Sequence, residues 1–137
     1  MDINEGLSQV PDQESSTHAY AARFSGAAGR WLLDVQADAT RRCLAGLGPV
    51  GVLEPGGAHG QNVAVLSALG MKHRILSSPG CTREMIDEAL AVGQVSVEEG
   101  SFSRFPQADG AFDVVLSYRM LAHIQDWQTY VKEMCRV

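Results

Sequence analysis

Apolar and polar positions follow two different rhythms along this chain. Over residues 30–46, apolar side chains recur at steps of three and four, which predicts a helix with one apolar face. That face is formed by Leu32, Val35, Ala39 and Cys43. Gly48 and Pro49 are expected to end the helix, and the glycines of FSGAAGR predict a break before it.

From residue 48 onward, short apolar runs alternate with helical patterns. The runs VGVLE, HRILSS, QVSVEEG and AFDVVLSY have the length and continuous apolar character of strands that are buried on both faces. QNVAVLSALG, TREMIDEALAVG and DWQTYVKEMCRV have helical spacing, with Thr82 and Asp126 as expected N-caps of the last two. Strands that alternate with helices or long crossovers predict right-handed βαβ units in a doubly wound parallel α/β sheet.

The same patterns divide the chain into three parts. Residues 1–16 have few large apolar side chains, so a mobile N-terminal tail is expected there. Residues 17–47 form an N-terminal helical segment, and residues 48–137 form the α/β domain.

Composition narrows the class of protein. A chain of 137 residues suffices for one domain with one core. Its net charge of −5 argues against nucleic acid or an anionic membrane as the main partner, since both require clustered Lys and Arg. We see no apolar run near the ~20 residues that span a bilayer and no signal-peptide layout, so a cytoplasmic protein is expected. The cysteines Cys43, Cys81 and Cys135 lack the spacing of a zinc site or a disulfide framework.

The candidate chemistry begins with VLEPGGAHG, residues 52–60, which follows the first predicted strand. Ligands of open α/β sheets bind beyond the carboxyl ends of the strands, and glycine lets the backbone approach a ligand closely. The stretch does not fit the dinucleotide fingerprint G-x-G-x-x-G or the phosphate-binding P-loop. It fits acid-x-G-x-small-x-G, at Glu54, Gly56, Ala58 and Gly60. An ordinary glycine-rich strand-to-helix turn, or a different nucleotide-binding domain, is the alternative.

This spacing resembles motif I of the class I S-adenosylmethionine (SAM) methyltransferases. FDVVLSYRMLAHIQDWQTYVKEMCRV is similar to that family's fourth strand and following helix. The matching positions are Phe112, Asp113, Val115, Leu121, His123, Glu133, Arg136 and Val137. EEGSFSRFPQADGAFD also resembles a segment of the family, so the resemblance covers roughly residues 48–137. It is greatest to the type 11 branch, which acts on small molecules.

The resemblance implies a Rossmann-like sheet, with strands 3-2-1-4 of the family's seven-stranded order 3-2-1-4-5-7-6. It also implies SAM as cofactor and a small molecule as methyl acceptor. In the family, the acid that ends the first strand helps to hold the methionine amino group, a role that falls on Glu54. The residues that the resemblance places at the cofactor are Glu54, Gly56, Gly57, Ala58, Gly60, Gly80, Cys81, Ser101, Phe102 and Ser117.

Two positions depart from the family pattern. The acid that accepts hydrogen bonds from the ribose hydroxyls aligns with Gly80, and the Asp that binds the adenine amino group aligns with Ser101. Ser77 or Ser78 can replace the first acid only with weaker, uncharged contacts. Losing both charged contacts would cost about 1–3 kcal/mol, or roughly 5- to 150-fold in affinity. A non-catalytic relative with weak or lost cofactor binding is therefore the alternative function.

Several side chains have more than one interpretation. His123 is the candidate general base, because neutral imidazole is well populated near pH 7, but it can instead support the site. His59 can be an exposed loop residue or can contact cofactor or substrate. Phe102 can cover the adenine or pack in the core. Tyr20 and Arg23 can belong to a lid over the pocket or to ordinary helix packing.

The sequence matches only the first part of the family pattern. The family continues past its E-x-x-R-V segment into three more strands, whereas this sequence ends at Val137. The strand DVVLS would then be an exposed sheet edge, which is prone to pair with another chain. We therefore expect either a fragment of a longer chain or a homo-oligomer that covers this edge.

Overall fold

A computed structural model describes residues 10–137 of the chain. The six α-helices of these residues are α1 Asp12–Ser15, α2 His18–Ala21, α3 Ala27–Leu44, α4 Val63–Ala68, α5 Asp87–Ala91 and α6 Trp127–Arg136. The four strands are β1 Gly51–Pro55, β2 Lys72–Ser77, β3 Val95–Glu99 and β4 Val114–Val115. Short 3-10 helices span Ala22–Phe24 and Gly57–His59.

The strands form one parallel sheet in the order β3-β2-β1-β4. Glu54 of β1 lies opposite Ile75 of β2, which aligns the carboxyl ends of the two central strands. This architecture confirms the predicted partial, Rossmann-like doubly wound sheet with strands 3-2-1-4. It also brings the loops after β1, β2 and β4 to one edge, where ligands of such sheets bind.

Alternation along the strands gives the sheet two apolar faces. Leu53 and Leu76 pack on one face against Phe102, Phe105 and other residues that include those of α6. On the other face, Val52 and Ile75 belong to clusters with α3, α4 and α5. Both faces of the central strands are therefore buried, as their continuous apolar runs predict.

Helix α6 is fixed at both ends by charged side chains. The Asp126 carboxylate accepts a hydrogen bond from the Thr129 amide, as expected of an N-cap. Near the other end, the Arg136 guanidinium donates to Glu133 and Asp109 and to the carbonyl of Phe105. Arg136 thus ties α6 to the loop between β3 and β4.

The predicted apolar face of α3 does not face the core. Leu32 and Val35 are 45% and 46% exposed, and Cys43 is exposed as well. The buried residues of α3 are instead Gln36, Thr40 and Leu44. The expectation that apolar spacing marks the buried face is wrong here, because a polar network of the cavity takes up the packed side of the helix.

Three further details differ from the sequence predictions. Thr82 does not cap a helix, since α5 begins at Asp87 with Ile86 as its N-cap. Strand β4 has only two residues, far fewer than AFDVVLSY suggests. Residues 1–9 of the predicted tail lie outside the described residues, and Asp12 in the rest of it is fully buried, because its side chain and backbone bond to the loop after β2.

Within residues 10–137, we find no helix with the length and apolar character needed to cross a membrane.

Candidate functional site

A cavity of about 410 Å³ opens at the carboxyl ends of β1 and β4. Its walls come from the loop after β1, the loop after β4 and the N-terminal helices. The residues that line it include Gln13, Glu14, Tyr20, Arg23, Gly56, His59, Tyr118, Arg119, Met120 and His123. This is the position at which ligands of open α/β sheets bind, and the volume lies in the usual range of small-molecule sites.

The glycine loop gives this cavity its backbone wall. Gly56 has φ +73°, a left-handed conformation that favours glycine, and a Cβ built on it would lie 2.5 Å from the Met120 sulfur. Gly60 has φ +75°, and a Cβ there would lie 2.7 Å from the carbonyl oxygen of Met85. Gly57 lies directly against the Glu54 carboxylate, and Ala58 is buried in the core. The glycine spacing is therefore required by close packing on both sides of the loop.

Glu54, expected to hold the methionine amino group, is fully buried and bonded to protein groups. Asn62 Nδ2 donates to its Oε1 at 2.6 Å, and His73 Nε2 donates to its Oε2 at 2.8 Å. His59 Nε2 lies 3.4 Å from Oε1. Burial raises the pKa of Glu54, but the bond from His73, the charges of His59 and His73 and the bond from Asn62 together lower it below its usual range. Glu54 is thus an ionised carboxylate enclosed by donors.

His59 separates this carboxylate from the cavity. Its Nδ1 accepts a hydrogen bond from the Gln61 amide at 3.0 Å, so the ring proton of the neutral form resides on Nε2 and faces Glu54. Burial lowers the pKa of His59, and although Glu54 raises it, Arg119 and His73 add to the lowering. A cofactor ammonium would reach Glu54 only after His59 had moved.

A hydrogen-bond network runs from Glu54 to the cavity wall. Asn62 binds Glu54 and accepts from Gln36 Nε2 at 3.3 Å. Gln36 Oε1 in turn accepts from Arg119 Nη1 at 2.6 Å, and Arg119 also bonds Gln61. Arg119 has φ +58°, unusual for a residue other than glycine, and such strain concentrates at functional sites.

The loop after β2, where the ribose acid is expected, is bonded to the N-terminal segment. Gly80 is exposed, has φ +80° and lies 3.1 Å, measured from a built Cβ, from Gln13 Nε2. The thiol of Cys81 is half-buried and donates to the carbonyl of Asp12 at 3.5 Å. Burial raises the pKa of Cys81 to about 11. The carboxylate of Asp12 lies at this loop, where it accepts from the amide and the hydroxyl of Ser78.

The remaining predicted cofactor residues are dispersed. Ser101 is exposed, and its hydroxyl accepts a hydrogen bond from the Ser103 amide at 3.1 Å. Phe102 is 2% exposed and packs edge-on against Tyr130 with 6.2 Å between ring centroids, so it has the core role that was one of its two interpretations. The Ser117 hydroxyl lies 2.8 Å from the Tyr130 hydroxyl. These three are not among the residues of the cavity.

The candidate base and the candidate lid residues line the same cavity. His123 is exposed and lines the cavity, as do Tyr20 and Arg23. Arg23 lies over the Tyr20 ring, 5.2 Å from its centroid, and pairs with Glu14. The N-terminal helices thus form one wall of the cavity.

Sequence reasoning missed Asp12, Gln36, Asn62, His73 and Arg119. His73 lies two positions before Ile75, so the two share one face of the predicted strand, and Asn62 directly precedes the apolar run VAVL, which is the available signal that they are buried. For Asp12 and Arg119 the sequence offers no comparable signal, because their partners lie 66 and 83 positions away.

The fold and the site define a class: a Rossmann-like α/β domain whose glycine-rich first loop borders a small-molecule cavity. The profile of the family described as "Methyltransferase domain" matches residues 53–137. This chain therefore belongs to the methyltransferase domain family, which uses SAM as methyl donor.

The individual relatives are longer than this chain. Ajmaline N-methyltransferase of Rauvolfia serpentina is 40% identical over 57 aligned residues, which cover 38% of this chain and 20% of that enzyme. A candidate SAM-dependent methyltransferase of Methanococcus maripaludis is 17% identical with a TM-score of 0.64, over 74% of this chain and 48% of its own. The cyclase SpnF is 20% identical with a TM-score of 0.66, over 76% and 40% of the two chains. These two structural likenesses concern the fold alone.

Proposed function

We propose that this chain provides the cofactor-binding part of a methyltransferase that transfers a methyl group from SAM to a small molecule. The observation that carries the proposal is the cavity of about 410 Å³ bounded by the left-handed glycine loop after β1. In a chain of this family, such a cavity is the natural place for the methionine half of SAM and for the acceptor.

The residues of the cavity fit SAM in part. Gly56 offers backbone without a side chain, and His59, Arg119 and Met120 surround it with polar and soft apolar groups. When bound, SAM would supply an activated methyl group on a sulfonium. The anchors expected at Glu54 and at the end of β2 are already bonded within the protein, so binding would require those contacts to rearrange.

A small acceptor is supported by size and charge. The cavity admits small molecules, and the net charge of −5 does not favour nucleic acid. Methyl transfer needs no acid for the departing thioether, so positioning of the acceptor does most of the work. His123, exposed at the cavity, is placed to position the acceptor or to accept its proton.

The test is calorimetric titration with S-adenosylhomocysteine (SAH). We expect saturable binding to the chain, and a longer form with more of the length of its relatives should bind at least as tightly. Gly56→Ala should weaken binding, because the new Cβ, 2.5 Å from the Met120 sulfur, displaces Met120, which lines the cavity. Gly48→Ala is the matched control, since Gly48 has the same φ of +73° but open space around it.

A non-catalytic relative is the second candidate function. The observation in its favour is that Glu54 has no exposed surface and that Gly80 and Ser101 offer no carboxylate to a ligand. A folded protein that binds no SAH at millimolar concentration, in the short and the longer form alike, would favour this candidate over the enzyme.

A further inference from the structure

The N-terminal segment contacts the loop at the carboxyl end of β2. We define residues 11–18 as the N-terminal strap. In dinucleotide-binding sheets, an acidic side chain after the second strand binds the ribose of the ligand. In this chain the position just beyond β2 is Ser78, and the carboxylate that lies there comes from Asp12 of the strap.

The strap is bonded to this end of the sheet at several points. Asp12 Oδ2 accepts from the Ser78 amide at 2.9 Å, and Oδ1 accepts from the Ser78 hydroxyl at 2.5 Å. Gln13 Nε2 donates to the carbonyl of Pro79 at 2.8 Å. Further along, the Thr82 hydroxyl donates to the carbonyl of Ser16 at 3.1 Å. Side chain and backbone of the strap therefore bond to the loop after β2 at Ser78, Pro79 and Thr82.

Asp12 and Ser78 are so deeply buried that a ligand cannot reach either of them while they are in contact. Asp12 is 0% exposed and Ser78 is 1% exposed, and Ser77, the other serine able to receive a ribose, is 2% exposed. The amide and the hydroxyl of Ser78 are both bonded to the Asp12 carboxylate. A ribose hydroxyl can reach Ser78 only when Asp12 has left.

The structure of the strap also favours its release from the loop. Its helix α1 has four residues, and α2, which begins at the last strap residue, His18, has four as well; both are far below the length at which a helix is stable by itself. Gln13, Glu14 and His18 are exposed, so the outer bonds of the strap compete with water. No residue of the strap belongs to the three apolar core clusters of residues 10–137, so hydrogen bonds are its main contacts with the loop.

We propose that the N-terminal strap closes the ribose end of the crevice and competes with the cofactor for Ser78. This inference rests on the proposed function, because it takes the crevice to be the SAM site. The closed strap lowers cofactor affinity, and its release opens the loop after β2. Release of the strap thereby becomes a control point for cofactor binding.

Cys81 is a reporter of strap opening that requires no ligand. Its thiol is half-buried beneath the strap and bonded to the Asp12 carbonyl. With Cys43→Ser and Cys135→Ser as background, both at exposed positions, Cys81 is the only thiol of the chain. Its alkylation rate by iodoacetamide then follows the open population of the strap.

The central experiment compares Asp12→Ala with Asp34→Ala, which removes an exposed carboxylate from α3. Asp12→Ala should raise the alkylation rate of Cys81 and tighten SAH binding by about tenfold, the change that corresponds to about 1.4 kcal/mol. Asp34→Ala should change neither. Thr82→Val, which removes one exposed strap bond, should shift both measurements in the same direction as Asp12→Ala and serves if that variant does not fold.

The outcomes separate this inference from the proposed function. If the parent chain binds SAH and Asp12→Ala binds it equally or more weakly, the strap does not compete and the inference is wrong, while the proposed function stands. An unchanged alkylation rate in both variants would also overturn it. If the variants label faster and still bind no SAH, then the crevice is not a SAM site and both proposals fail.

Discussion

The enclosed pair of Glu54 and His73 leads to a prediction about stability. His73→Leu removes the imidazole that donates to Glu54 Oε2 at 2.8 Å, while the side chains concerned are only 1% exposed. A hydrogen bond to a charged group contributes about 1.5–3 kcal/mol. The buried Glu54 carboxylate cannot replace the lost bond with one to water. We therefore expect His73→Leu to lower the free energy of unfolding by about 1.5–3 kcal/mol.

A double-mutant cycle isolates this interaction. Glu54→Leu alone leaves His73 Nε2 and Asn62 Nδ2 without their acceptor, so it should destabilise as well. Because the double variant removes both partners, it should cost less than the sum of the two single changes by about 1.5–3 kcal/mol. Urea titrations at pH 7 give the four free energies of unfolding.

The matched control is a pair on the surface of the same sheet. Arg74 Nη1 and Glu98 Oε2 lie 3.6 Å apart, with side chains 47% and 38% exposed. The corresponding cycle with leucine should give a coupling of about 0–1 kcal/mol, since water screens the pair. A coupling between Glu54 and His73 below about 0.5 kcal/mol would refute our account of the enclosed carboxylate.

Further predictions concern pH, the helix anchor and the glycine loop. The free energy of unfolding, followed by urea titration, should fall from pH 7 to pH 4. The pKa of His59 is lowered in the fold, so the unfolded chain binds that proton first, from about pH 6.5 downward. The pKa of Glu54 is also lowered in the fold, so its protonation destabilises the fold in the same way below about pH 4.5. A flat profile would contradict these directions. Arg136→Ala should lower the urea midpoint and free the loop before β4 to limited proteolysis, whereas Lys132→Ala on the exposed side of α6 should do neither. Gly60→Ala should destabilise the fold more than Gly56→Ala, because its Cβ meets the backbone of Met85 and not a movable side chain; equal losses in thermal melts would count against that reading.

Much of the scaffold could be predicted from local pattern. Continuous apolar runs identified the four strands, and the glycine spacing placed the loop after β1, because a strand buried on both faces and a left-handed turn each restrict the residues that can occupy them. Asp126 was predicted correctly as the N-cap of α6, since capping depends on neighbours within three residues.

The candidate site was less predictable from the same patterns. The spacing of Leu32 and Val35 indicated a helix but not the side on which it packs, and the structure buries Gln36 and Thr40 instead. Helical periodicity reports how apolar residues are arranged on one helix. Which face is buried also depends on the side chains that the neighbouring elements present to that helix. Here they offer Asn62 and Arg119, which require polar partners.

By itself, the sequence determined the parallel sheet, the glycine loop and the family to which the chain belongs, because each of these is recognised from short runs of neighbouring residues. Only the tertiary structure decided that Glu54 is enclosed by His59 and His73 and that Asp12 rests on Ser78. These contacts join residues from separate elements, and the 66 positions between Asp12 and Ser78 leave no local spacing that could indicate them. The physical reason is that hydrogen bonding and burial act between atoms that the fold brings together, whatever their distance along the chain.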